Sequence, residues 1–145
     1  MNGWLTVRQW EHMRNYFNVQ DLGQVKQALG IDNYEVYMGC ADQFKKKARR
    51  LDTHVWEHVI LHPNGLFEDE WGVKYRIGKT GNFWHYAEHP LQKAESIDEY
   101  VFPDIDAPGR FREAEELARR WRDTFAISGA YLQLFLTAWA LRGYR

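Results

Sequence analysis

Five groups of side chains in this sequence have types and spacings that invite a chemical reading. His54, His58 and His62 recur every fourth residue. On a helix they would line one face, as metal-ligating histidines do. On a strand they would also share a face, but span too far for one ion. The intervening Val55, Trp56, Val59, Ile60 and Leu61 favour the strand, and no Glu stands where a His-Glu-x-x-His protease needs its base. His85 and His89 repeat the spacing, but across a strand end and before Pro90. The run Lys45-Lys46-Lys47-Ala48-Arg49-Arg50 could contact phosphate, against the plainer reading of a solvated helix face. Asp69 and Glu70 are adjacent acids leading into a strand, where neighbours point to opposite faces, so they do not form a catalytic carboxylate pair. Cys40 has no flanking motif that would lower its pKa and reads as a plain thiol. The sequence contains neither a glycine-rich phosphate loop nor a nucleophile elbow.

The elements that must position these groups come from one domain spanning residues 1–145. Seven Trp, eight Tyr and eight Phe supply enough apolar area for a real core, which argues against disorder. Nineteen basic residues against twenty acidic ones leave a net charge of -1, so no global field favours nucleic acid or an anionic membrane. The lone Cys40 excludes an internal disulfide and a zinc site built on several cysteines of this chain. No apolar run reaches membrane-spanning length, and the polar, helix-like start does not resemble a signal peptide. These features imply a cytoplasmic protein.

Thr6 is suited to cap a helix reaching about Phe17, with Val7, Trp10, Met13 and Phe17 at helical spacing. A second helix over Leu22 to Leu29 should stop at Gly30. The segment Tyr34 to Arg50 reads as helical in its second half. His54 to Leu61 favours a strand ended by Pro63-Asn64-Gly65. The clearest local pattern follows: Trp71, Val73, Tyr75 and Ile77 alternate with Gly72, Lys74 and Arg76. With a turn at Gly78-Lys79-Thr80-Gly81 and a return strand over Asn82 to Ala87, this predicts a β-hairpin with one aromatic face. Ser96 can cap a short helical turn through Tyr100. Asp106 can cap a longer helix to about Arg122, with Phe111, Ala114, Leu117, Ala118 and Trp121 as its buried stripe and Glu115/Arg119 and Glu116/Arg120 as outer pairs. Phe125-Ala126-Ile127 predicts a strand that leads through Ser128-Gly129-Ala130 into a last helix ending near Gly143.

That last helix is apolar on nearly every side: Tyr131, Leu132, Leu134, Phe135, Leu136, Ala138, Trp139, Ala140 and Leu141 cover its circumference. Such a helix needs cover all round. A continuation of the chain or a partner surface would supply it.

Three stretches recur in a familiar order: Asp69-Glu70-Trp71-Gly72-Val73, then Glu88-His89-Pro90-Leu91, then Phe102-Pro103-Asp104-Ile105-Asp106-Ala107-Pro108-Gly109-Arg110-Phe111. Their order and spacing resemble the front part of the uroporphyrinogen decarboxylase superfamily, especially its corrinoid methyltransferase-like branch. The similarity is best over residues 66–143. It implies an α/β fold class, the N-terminal part of a (β/α)8 TIM-barrel-like fold with a β-hairpin and several helices. Ser128-Gly129-Ala130, with Leu141-Arg142-Gly143 after it, is similar to the strand, loop and helix at that family's active-site mouth. The resemblance thus implies that Ser128, Gly129 and Ala130 line a substrate site. The Pro-Phe-Thr that follows the Gly-Ala of true decarboxylases is replaced by Tyr131-Leu132-Gln133.

Two departures bear on activity. Arg8-Gln9-Trp10 does not reproduce the arginine loop that grips substrate carboxylates in the decarboxylases. The His-x-Cys and distant Cys that bind zinc in the methyltransferase branch would lie downstream of this sequence. The resemblance therefore implies a partial chain that is not catalytic alone and holds no cofactor itself, zinc and corrinoid belonging to an intact family member. That member would transfer methyl groups with a corrinoid or decarboxylate a tetrapyrrole. The implied partners are the remainder of a barrel or a homologous barrel protein, and a corrinoid protein. Nucleic acid and membrane are not among them. The alternative is a non-catalytic module that docks through its apolar C-terminal helix.

Overall fold

A computed structural model describes residues 7–50, 58–78, 84–130 and 134–144. Helix α1 (Val7–Phe17) half-buries Trp10, Met13 and Phe17. The capping role read for Thr6 lies outside the described residues. The helix ends at Asn18, whose φ of 53° is the left-handed cap conformation that Asn tolerates. Helix α2 (Leu22–Ala28) starts with a full capping box: the Asp21 side chain accepts from the Gln24 backbone, and the Gln24 side chain accepts from the Asp21 backbone.

Residues 33–50 are helical in their second half, as read, but the helix stops short of Arg50 and strands flank it. Asn33–Tyr37 form strand β1, only Asp42–Lys47 form a helix (α3), and Arg49–Arg50 form strand β2. The basic run is therefore not one helix face. Its lysines lie on α3, while its arginines pair with Val59 and His58 across a sheet. The signal missed at β1 is the alternation of Tyr34 and Val36, aromatic and β-branched residues turned to one side of the strand.

Strands β3 (His58–Leu61), β4 (Phe67–Glu68), β5 (Lys74–Ile77) and β6 (Trp84–Glu88) continue from β2 as a five-stranded antiparallel meander in sequence order. The hairpin of β5 and β6 pairs Tyr75 with Tyr86 and Ile77 with Trp84, after a bulge at Lys74/Tyr75. Its turn, like His54 to Glu57 of the strand read before His58, lies outside the described residues. Val73 and Tyr75 are buried in one core cluster with Leu91 and Leu141, and Trp71 and Trp84 pack against it. Ile77 departs from the expected packed face, being 36% exposed at its rim.

The turn at Ile97–Glu99 is capped by Ser96, with Glu99 accepting back from the Ser96 backbone. Helix α4 (Arg112–Trp121) begins six residues after Asp106, the cap read from sequence. Asp106 instead lies in a preceding turn, where its N–H donates to Asp104 Oδ1, and the chain reaches α4 through Gly109 at φ 84°. Phe111 is exposed rather than part of the buried stripe. Arg120 pairs not with Glu116 but with Asp21, tying α4 to the start of α2.

After α4, strand β7 (Ala126–Ala130) lies parallel to β1, with Tyr34 opposite Ile127, Glu35 opposite Ser128 and Tyr37 opposite Ala130. A second core cluster joins Tyr34, Trp121 and Phe125 beneath Val36, Leu117 and Ile127. Tyr34 and Trp121 stack at 5.9 Å. Helix α5 (Leu134–Arg142) closes the described chain. The architecture is mixed α/β: a parallel pair with helices on one side, joined to an antiparallel meander. The described strands do not close into a barrel. No described helix is long and apolar enough to cross a membrane.

Candidate functional site

The two parallel strands expose one face. Tyr34, Val36 and Ile127 point toward α4, so alternation turns Glu35, Tyr37 and Ser128 to the other side. Tyr37 Oη donates to Glu35 Oε2 at 2.9 Å, and Ser128 stands opposite Glu35 in the register. Tyr37 is 52% exposed, and Ser128 is exposed. Burial of part of the ring and the adjacent Glu35 carboxylate push the Tyr37 phenol up to about 12, so it stays a neutral hydrogen-bond donor at neutral pH. Ser128, Gly129 and Ala130, read as a loop after the strand, are its last three residues. Alternation turns Gly129 away from Ser128, toward the α4 side, and the two do not share a face.

Beyond the C-terminal end of β1, three segments are fastened to one another by a single buried cation. Arg110, 2% exposed, donates from Nη1 and Nη2 to the two carboxylate oxygens of Glu70 at 2.7 and 3.0 Å. Its Nη1 also donates to Gly39 O and its Nε to Asp104 O. Glu70 Oε1 accepts in addition from Ala41 N at 3.1 Å. Backbone bonds run alongside, from Gly39 N to Arg110 O and from Asp42 N to Pro108 O. Arg112 forks onto Asp42, and Gly109 passes so close that a Cβ there would meet the Asp42 carboxylate at 1.9 Å. A buried, bidentate, fully hydrogen-bonded ion pair of this kind holds a loop in one conformation. Sequence reading had Arg110 only inside a motif, because its partner lies forty positions away in sequence.

Asp69 and Glu70 are divided between two tasks. Asp69 accepts from Trp71 N, Val73 N and Tyr75 Oη at 2.9, 3.0 and 2.7 Å, and so shapes the turn into β5. Burial raises its carboxyl to about 6 despite these three donors, which favour the charged form. Cys40 sits beside the ion pair, where burial and then the Glu70 charge raise its thiol to about 11. A thiol so raised stays protonated at neutral pH, which does not suit a nucleophile.

The histidines disperse. His58 lies on β3, His62 donates from Nε2 to Glu68 at 2.6 Å, and His54 is outside the described residues. His89 donates from Nδ1 to Ala140 O at 2.7 Å. Among the described residues, no three His, Cys, Asp or Glu side chains stand together as a metal site would require.

Helix α5 buries Leu141 but leaves Leu134 85% and Phe135 66% exposed. Tyr131 and Leu132 of its expected apolar surface lie outside the described residues. Compared with protein-family models, curated proteins and solved structures, the chain matches none.

Proposed function

We propose that this chain is the front portion of a (β/α)-barrel-like unit of the uroporphyrinogen decarboxylase kind, silent in catalysis alone, which works by engaging the rest of a barrel. One observation carries the reading. Strands β1 and β7 are parallel, and α4, which leads into β7, packs on only one of their faces. Parallel sheets are ordinarily covered on both faces, and in a (β/α) barrel the helix-free face is the interior. Glu35, Tyr37 and Ser128 would then face that interior, with Ser128 lining a substrate site. Completing strands would come from the remainder of the barrel or from a homologous barrel protein. The reaction of the completed unit is methyl transfer involving a corrinoid, or decarboxylation of a tetrapyrrole. No three His, Cys, Asp or Glu side chains stand together among the described residues, so in this reading a zinc ion would be held by the completing part.

The test has two readings. The purified chain, assayed with uroporphyrinogen and with methylcobalamin plus a thiol acceptor, should give no enzymatic turnover. Titration with a complete barrel protein of the corrinoid methyltransferase-like branch should slow hydrogen exchange over residues 33–37 and 126–130. Turnover by the chain alone, or unchanged exchange, overturns the proposal.

A second reading is favoured by the exposure of Leu134 and Phe135: docking of a partner against α5.

A further inference from the structure

Between α5 and the segment that follows the meander runs a groove of about 420 Å³, lined by Leu91, Ile97, Phe102, Leu134, Ala138 and Leu141 among others. The groove is built rather than incidental. Leu91 N donates to Leu141 O at 2.9 Å and Arg142 donates to Leu91 O and Ala94 O, which fixes one wall against the other. Tyr100 Oη donates to Trp71 O at 2.7 Å and anchors the opposite wall to the hairpin. Large apolar side chains continue from the groove onto the surface: Ile97 is 60% exposed, Val101 89% and Leu134 85%.

The charged residues beside this apolar surface are mostly acidic, with Glu95 in the lining itself and Lys93 and Arg142 as the cations nearby. Residues 95–106 carry Glu95, Asp98, Glu99, Asp104 and Asp106 and no Lys or Arg. None of these five carboxylates makes an ion pair among the described residues, although Asp98, Glu99 and Asp104 accept local hydrogen bonds. Within the groove, Arg142 spends its donors on the carbonyls of Leu91 and Ala94. An apolar trough with an unpaired acidic wall is complementary to a helix that has one apolar face and lysines or arginines flanking it. The nine residues of α5 make a wall about 13 Å long, enough for anchors at i, i+3 or i+4 and i+7, which span roughly 10 Å.

We propose that this groove docks a basic amphipathic helix of a partner protein. The inference rests on the second reading above, docking against α5, and adds the chemistry of the occupant.

Fluorescence titration of the full chain with synthetic helical peptides tests it. The probes are a Leu/Lys amphipathic peptide, a Leu/Glu and a Leu/Gln peptide of the same apolar pattern, and a Ser/Lys peptide of the same charge. The Leu/Lys peptide should bind tightest and weaken as salt is raised. The double charge reversal Glu95→Lys with Asp98→Lys should weaken it by about tenfold or more. Leu134→Ser with Val101→Ser, at positions too exposed to be needed for folding, should weaken it while leaving the thermal melt unchanged. Equal binding of the Leu/Gln peptide would overturn the charge selection while leaving docking against α5 intact. Failure of all three amphipathic peptides would overturn docking itself. Preferential capture by phosphatidylglycerol vesicles, or a self-associated chain that the Leu/Lys peptide does not dissociate, would also overturn the proposal.

Discussion

Helices α4 and α5 are of similar length and occupy opposite situations. α4 is strongly amphipathic: Trp121 and Leu117 pack toward Tyr34 and Phe125, while Glu115, Glu116, Arg119 and Arg120 face outward. Arg120 reaches Asp21, and the loop before α4 is bolted down by Arg110. Each side of this helix has what it needs. α5 lacks such division; Leu141 enters the hairpin's core cluster, while Leu134 and Phe135 remain in solvent. One helix is finished by its own chain, whereas the other carries surplus apolar surface that amphipathic folding would have converted to polar. The difference separates apolar residues that the described chain covers from apolar residues that it leaves in solvent.

The largest expected effect breaks the finished side. Arg110→Ala leaves the largely buried Glu70 carboxylate without its counter-charge and with only the Ala41 N–H as donor, which should cost about 3–5 kcal/mol in a urea melt. Replacing Glu70 as well should recover part of that loss. A single change that costs no more than a surface substitution would mean that the ion pair does not hold the loop.

Beneath α5, stability depends on the hairpin and therefore on Asp69. Its carboxyl is raised to about 6 in the folded protein against an ordinary value of 3.8. The folded state thus holds this proton more tightly than the unfolded one. The contribution is fully present below about pH 4 and is lost as pH rises through about 6. In Asp69→Asn, Oδ1 can still accept from Trp71 and Val73 N–H, and Nδ2 can donate to Tyr75 Oη. The variant should gain on the wild type from pH 4 to pH 7, by roughly 2–3 kcal/mol. Parallel stability–pH curves for the two proteins would contradict the burial argument.

The smallest effects give the sharpest contrast between the two sides. In α2, a Cβ on Gly23 would meet the Trp121 ring at 2.1 Å. Gly23→Ala, ordinarily helpful inside a helix, should here destabilise by about 1–3 kcal/mol through overpacking. Leu134→Ser removes far more apolar volume from α5 and should shift the same melt by under about 0.5 kcal/mol. If the serine proves the more damaging, Leu134 is covered and the contrast fails.

Local pattern was legible wherever neighbours in sequence supply the partners. The capping box at Asp21, the stop at Gly30, the Ser96 cap and the alternation through Val73 and Tyr75 are short-range chemistry, and each is visible in a few residues. The start of α4 was misread because Asp106 and Pro108 look like a helix entry until Arg110 is drawn down to Glu70. The basic run ceased to be one helix face once its arginines passed into β2, and His58 and His62 found separate surroundings.

Periodicity by itself determined the presence of both helices and strands, the aromatic hairpin, the amphipathic α4 and the apolar surplus of α5, because each rests on side-chain spacing within one element. The alternation of Tyr34 and Val36 is too short a pattern to assign a strand alone, and the tertiary structure decided it, since the strand's hydrogen-bond partner, Ala126–Ala130, arrives some ninety residues later. It alone turned Ser128 into a sheet residue facing Glu35, separated Asp69 from Glu70 into two different tasks, and gathered Leu91, Phe102 and Leu134 around one groove. Such contacts form when distant segments desolvate each other, and that free energy belongs to the pair rather than to either segment.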